Sequence, residues 1–108
     1  MLIAQTVALE AIRRLRPVVE KVQRRDRDLA DQLRRAASSV VLNVAEAQGT
    51  RAGNRRVRFE TALGSATEAS SALEVAVAWG YVAADEIVDA EAQLDRARAL
   101  LWRLTRAR

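Results

Sequence analysis

The stretch 32–46, QLRRAASSVVLNVAE, is the segment that decides the fold. Its middle, AASSVVLNVA, carries no charge, and within it Val40, Val41 and Leu42 are consecutive. Neighbouring residues of an α-helix point roughly 100° apart, so these three side chains leave the helix in three directions. A helix that is apolar on several sides must be covered on several sides. We therefore expect this helix, and the similarly apolar segment 61–84, to contact a second copy of the chain. The alternative is a monomer in which the surplus apolar residues are exposed.

Apolar residues recur at spacings of three and four along the rest of the chain, which is the period of an amphipathic α-helix. The 108 residues are 50% hydrophobic and include four Gly and one Pro, a composition that favours an all-α protein. Four helices with short connections predict an antiparallel up-down-up-down four-helix bundle, with residues 1–108 as a single domain. The predicted helices span residues 2–23, 27–48, 55–79 and 85–106.

Single residues mark the expected ends of these helices. Pro17 removes a backbone donor and predicts a kink or local break in the first helix. Asp26 or Asp28 is placed to cap the second helix, and Asn54 to cap the third. Gly80 is predicted to end the third helix in the left-handed conformation.

The residue types that are missing exclude several kinds of chemistry. The chain has no His and no Cys, so it lacks the usual general base, thiolate chemistry and the commonest zinc ligands. We expect no enzyme activity, no cofactor and no metal site. No apolar run approaches the ~20 residues of a membrane span. The first six residues lack the basic and apolar regions of a signal peptide, so we expect a cytoplasmic protein with no membrane contact.

Charge is segregated along the chain. The net charge is +4, and every basic residue except Lys21 is Arg. Residues 13–58 contain 13 basic and 5 acidic residues, residues 59–95 contain 8 acidic and no basic ones, and residues 96–108 contain 5 basic and no acidic ones. Such a pattern directs nucleic acid to one face. Alternatively, it brings the acidic third helix against basic neighbours, within a protomer or between protomers.

Arginines crowd the start of the predicted third helix, where their charge opposes the helix dipole. Phosphate binding would explain this placement, and solvated surface is the alternative for each arginine. Aromatic residues for base stacking are scarce, so we expect contacts mostly to the nucleic-acid backbone. The candidate nucleic-acid-binding residues are Arg34, Arg35, Arg51, Arg55, Arg56 and Arg58.

Polar residues also follow one line along each of the two central helices. Ser39, Asn43 and Glu46 are spaced at i, i+4 and i+7, and Ser65 and Glu68 at i and i+3. Facing each other, they would form a buried hydrogen-bonded layer that fixes the register of the two helices. The alternative is a small-ligand or ion site in a ring of subunits.

Three motifs resemble a known family. Residues 32–46 resemble the signature Q-L-R-R-A-x-x-S-I-x-x-N-I-A-E-G of the bacterial four-helix bundle family of the 23S ribosomal RNA intervening-sequence proteins. Residues 62–68, ALGSATE, resemble the family's A-x-G-S-x-x-E, and residues 79–82, WGYV, are similar to its L-G-Y-L. The order and separation of the motifs agree. The Gly that ends the first signature is Ala47 here, with Gly49 two residues later.

The resemblance implies a homopentameric ring of bundles. It also implies a relation to the accessory protein of diversity-generating retroelements, which binds a reverse transcriptase and nucleic acid. Our leading hypothesis is a non-enzymatic homo-oligomer that binds RNA or DNA, or a nucleic-acid enzyme such as a reverse transcriptase, through arginine-rich surfaces. The alternatives are a structural or protein-interaction oligomer with no nucleic-acid role, and a partner of a toxin or stress module.

Overall fold

The computed structural model describes residues 1–106, which form four α-helices and no β-strand. The all-α prediction is confirmed. None of the helices in this part of the chain combines the length and the apolarity needed to cross a bilayer. The elements in chain order are α1 (Ile3–Gln23), α2 (Arg27–Gln48), α3 (Ala52–Ala78), a single 3₁₀ turn (Ala84–Ile87) and α4 (Val88–Arg106).

The four helices pack as an antiparallel bundle. α1 lies against α2 and α4, and α3 lies against the same two helices. The bundle measures 43 × 22 × 20 Å. The α2–α3 connection therefore shares one end with the start of α1 and the last turns of α4, where Gln48 Nε2 donates to Gln5 Oε1 at 2.7 Å. The α1–α2 and α3–α4 connections form the opposite end.

Small side chains fill much of the core. Within residues 1–106, fourteen of the 29 buried apolar residues are Ala, a share that lets helix backbones approach closely. Larger residues anchor two clusters, one around Leu33, Leu73 and Leu94 near the opposite end, and one around Phe59 and Leu101 near the α2–α3 end. The periodic apolar positions seen in the sequence supply both clusters.

One aspartate ties the two connections of the opposite end together. Asp26 Oδ1 accepts a hydrogen bond from the Leu29 backbone N–H at 2.9 Å, which caps α2. Its other oxygen accepts from the Tyr81 hydroxyl at 3.2 Å. Burial raises the pKa of Tyr81, and the hydrogen bond to Asp26 raises it further. Of the two candidate caps predicted for α2, Asp26 is therefore the one that caps the helix.

Gly80 ends α3 in the predicted left-handed conformation, with φ of 78°. The Gly80 N–H donates to the Val77 carbonyl and the Tyr81 N–H to the Ala76 carbonyl, both at 2.9 Å. This pair of bonds satisfies the last carbonyls of the helix and turns the chain toward α4. Glycine suits the position because a side chain there would be strained.

Pro17 does not break α1, which runs from Ile3 to Gln23, and the kink given as the other outcome stays a prediction. The predicted start of α3 was wrong. α3 begins at Ala52 rather than at residue 55, and Asn54 lies inside the helix instead of capping it. The residue at the N-cap is Arg51, whose side chain makes no capping hydrogen bond.

The apolar segment of α2 is only partly covered within one chain. Val40 is buried, Val41 is half-buried and Leu42 is 61% exposed. α2 has two helical neighbours, so the side of it that carries Leu42 faces away from both. The exposure predicted for a single bundle is therefore present, and contact with a second copy stays a prediction.

Replacing Asp26 tests whether its two hydrogen bonds stabilise the opposite end of the bundle. Asp26→Ala removes the α2 cap and the Tyr81 acceptor together, and we expect a loss of about 1–2 kcal/mol in the free energy of unfolding. Chemical denaturation measures this loss. Asp26→Asn keeps an acceptor oxygen and should lose less. Asp28→Ala is the matched control, and an equal loss from it would contradict the assignment.

Candidate nucleic-acid interface

Six arginines of residues 1–106 gather at the α2–α3 end of the bundle. Four come from the connection and the first turns of α3, and two from the last turns of α4, which lie at this end because the helices are antiparallel. Glu46 and Glu60 are the acidic residues of these same turns. We call this surface the basic end; its arginines are Arg51, Arg55, Arg56, Arg58, Arg103 and Arg106.

The start of α3 is built without acidic side chains. Its first turn contains no Asp or Glu, and the Arg51 N-cap leaves the first backbone N–H groups without a side-chain acceptor. The partial positive charge of the helix N-terminus therefore adds to that of the arginines. Every residue from 51 to 58 is exposed. α2 ends at Gln48 with Gly49 as its C-cap, and α3 begins at Ala52, so the connection that carries Arg51 is short.

Ion pairs divide these arginines into two sets. Arg56 Nε lies 2.9 Å from Glu60 Oε1, and Arg58 Nη1 lies 3.1 Å from Glu46 Oε2. The other four, Arg51, Arg55, Arg103 and Arg106, form no ion pair with a carboxylate of residues 1–106. Their guanidinium groups offer planar donor sets of the kind that phosphate oxygens accept.

The two arginines of α4 did not enter the sequence-based set. Arg103 and Arg106 are separated from Arg55 by about fifty positions, and only the antiparallel packing of α3 and α4 brings them together. The predicted up-down-up-down order contained that signal, because it places the end of the fourth helix beside the start of the third. The Arg106 guanidinium lies 4.4 Å from the centre of the Trp102 ring.

Arg34 and Arg35 do not join the basic end. Both lie on the opposite-end half of α2. Arg34 pairs with Asp31 at 3.0 Å, donates to the Gln23 side chain, and lines a groove of about 320 Å³ between α1 and α2. Arg35 is exposed. The predicted nucleic-acid set is thus split between two places.

The polar residues of the two central helices meet across the α2–α3 contact. Ser39 Oγ and Ser65 Oγ lie 2.8 Å apart, and Asn43 Nδ2 donates to Ser39 Oγ at 3.0 Å and to the Ser39 carbonyl at 2.9 Å. Arg58 Nη1 lies 3.4 Å from Asn43 Oδ1 and bridges to Glu46. This connected series, the polar row, runs from the middle of the bundle to the basic end.

The polar row differs from the predicted layer in two respects. Its serines and Asn43 are half-buried, and Glu46 is exposed, so the row lies at the rim of the helix contact instead of inside it. Glu68 is also exposed and makes no hydrogen bond or ion pair with the described part of the chain. In its place the row gains Arg58, which the sequence had suggested only for phosphate binding.

A second polar contact, between α3 and α4, was not expected. The Ser70 hydroxyl faces Glu91, but neither Ser70 Oγ nor Glu91 Oε1 completes a hydrogen bond within residues 1–106. Burial raises the pKa of Glu91, and the nearby charges of Asp95 and Glu74 raise it further. Because the folded chain then binds a proton more readily than the unfolded one, this group's contribution to stability falls as pH rises through its folded pKa.

No group of three or more acidic side chains in residues 1–106 is arranged to hold a metal ion.

The side of α3 that faces away from the core carries two charges, those of Glu60 and Glu68. Val57 and Val75 are 57% and 42% exposed on it. The small residues Gly64 and Ser71 occupy its middle, and a Cβ at Gly64 would lie in open space. We call it the α3 outer face; it consists of Val57, Glu60, Thr61, Gly64, Glu68, Ser71, Val75 and Ala78.

Comparisons with known proteins agree with this architecture. The family model described as "23S rRNA-intervening sequence protein" matches residues 3–103. A solved structure, a protein of unknown function from the S23 ribosomal protein family of Bacteroides thetaiotaomicron, superposes with a TM-score of 0.86 at 17% identity, and the match covers 97% of this chain and 100% of that one. At this identity the likeness concerns the fold. No curated protein matches the chain.

Proposed function

Because the chain belongs to the 23S rRNA-intervening sequence protein family and concentrates arginine at one end of its bundle, we propose that it is a non-catalytic protein that binds nucleic acid through its basic end. The observation that carries the proposal is an excess of positive charge: one exposed surface of residues 1–106 holds six arginines and two carboxylates. The name of the family does not state what its members bind. The proposal therefore rests on the charge pattern of this chain.

The basic end suits a phosphate backbone better than a base sequence. Arg51 and Arg55 are exposed, have no carboxylate partner among residues 1–106, and lie at the positive end of the α3 dipole. Guanidinium groups in such positions bind phosphate in a bidentate manner and release condensed cations from the nucleic acid. Contacts of this kind position a protein on a strand without reading its sequence.

The ion pairs indicate which arginines contribute most to phosphate binding. Arg56 and Arg58 must give up or share their carboxylates before they contact phosphate, and Arg58 also holds the polar row. We therefore assign the leading contacts to Arg51 and Arg55, supported by Arg103 and Arg106. At the opposite end Arg24, Arg25 and Arg27 are interleaved with Asp26 and Asp28, which lowers the local positive potential.

Self-association is a second candidate function, and the α3 outer face favours it. Exposed Val57 and Val75 on this face, together with its small residues, form a surface that another helix can approach closely, and Leu42 is a further exposed apolar residue on α2. We assign this face to a second copy of the chain, and not to a nucleic-acid enzyme such as a reverse transcriptase, because its small residues suit helix packing. The pentameric ring implied by the sequence resemblance would cover it. If the charges served packing alone, the protein would be a structural oligomer without a nucleic-acid role.

Removing the same charge from each end in turn distinguishes binding at the basic end from a nonspecific effect of net charge. Arg51→Gln with Arg55→Gln should weaken binding of a short RNA at low salt by roughly tenfold or more, and should reduce the dependence of affinity on salt. Arg24→Gln with Arg25→Gln removes the same charge from the opposite end and is the matched control. Fluorescence anisotropy over a salt series measures both. Equal losses from the two variants, or no binding of any RNA or DNA at low salt, would overturn the proposal.

Solution mass tests the second candidate. Light scattering after size exclusion should give a multiple of the protomer mass that does not change with salt, because apolar contacts are insensitive to screening. Gly64→Arg, which places a charge in the middle of the α3 outer face at a position where the added Cβ lies in open space, should reduce the mass. A monomer at every concentration would contradict assembly through this face.

A further inference from the structure

Trp102 is the one large aromatic side chain exposed at the basic end. It is 50% exposed, whereas Phe59, its nearest aromatic in that half of the bundle, is 4% exposed and belongs to the core. Tryptophan has a larger aromatic face than any other side chain, and nucleobases stack on such faces.

Position along the helices places Trp102 among the arginines. Glu91 of α4 faces Ser70 of α3, and the two helices run antiparallel. Counting equally along both helices from that contact brings Trp102 level with Phe59 and Arg106 level with Arg55. Trp102 therefore lies at the same end of the bundle as the leading phosphate contacts.

Arg106 gives the ring a charged neighbour suited to a nucleotide. Its guanidinium group lies 4.4 Å from the centre of the Trp102 ring, within cation–π range. A nucleotide presents a flat base and an anionic phosphate a few ångströms apart, and this pair of side chains presents an aromatic ring and a cation at similar separation.

We propose that the basic end binds single-stranded nucleic acid, with an unpaired base stacked on Trp102 and a neighbouring phosphate on Arg106. This inference rests on the nucleic-acid function proposed above and specifies that the bound nucleic acid is single-stranded. A paired base is covered on both faces by its neighbours, so a duplex cannot offer this contact without unstacking. Single strands should therefore bind more tightly than duplexes of equal length.

The chain contains its own spectroscopic control. It has two Trp residues, and the second, Trp79, is 68% exposed at the opposite end, where it stacks on Tyr81 with ring centres 6.5 Å apart. Trp79→Phe leaves Trp102 as the sole source of tryptophan emission, and Trp102→Phe leaves Trp79. Each variant reports on one end of the bundle.

The experiment titrates these two variants with short oligoadenylate, with a duplex of equal length and with inorganic polyphosphate, which has the charge but no bases. We expect oligoadenylate to quench Trp102 emission and leave Trp79 emission unchanged, and polyphosphate to bind with no such quenching. Trp102→Ala should weaken oligoadenylate binding roughly tenfold or more and leave polyphosphate binding unchanged. Circular dichroism and thermal unfolding confirm that the variant is folded.

Four results would overturn the inference. If oligoadenylate binds without quenching Trp102, or if the duplex binds equally well, stacking is wrong and the nucleic-acid function survives. If Trp102→Ala changes the solution mass and not the affinity, the ring is a subunit contact. If none of the three polyanions binds, the proposed function fails, and the inference fails with it.

Discussion

The structure depends on close antiparallel packing of alanine-rich helices. Nearly half of the buried apolar side chains are Ala, so the helices meet along short side chains and their axes approach closely. α3 alone buries Ala62, Ala66, Ala69, Ala72 and Ala76. Such contacts allow little variation in register, and the connections at both ends are short. Every charged residue is consequently fixed to one level of the bundle by its position in the sequence.

This constraint turns a linear charge pattern into a spatial one. Arginines of the α2–α3 connection and of the α4 terminus are distant in sequence, yet they share one end, and the acidic run of residues 59–95 occupies the rest of α3 and the first turns of α4. Arg58 connects this end to the interior through Asn43 and the paired serines. The polar row thus fixes the register of α2 against α3 and also holds one guanidinium group at the surface.

The elements could be predicted from sequence because their signals are local. Apolar spacing gave the helices, Gly80 gave the end of α3, and Asp26 was one of two candidate caps. The start of α3 could not be predicted, because Arg51 occupies the N-cap without a capping side chain, while Asn54 carries the usual capping signal inside the helix. The role of Arg103 and Arg106 depends on which helix ends meet, and the Ser70–Glu91 contact depends on the exact rotation of α3 against α4. Neither has a local signature.

The central claim is that the basic end, and no other surface of the bundle, meets the nucleic acid. Amide hydrogen exchange with and without a short single-stranded RNA tests it at the level of single segments. The account predicts slower exchange in residues 49–56 and in the last turns of α4 on binding, and unchanged exchange in residues 24–28 and 79–87. Protection confined to the opposite end, or spread along the α3 outer face alone, would contradict it.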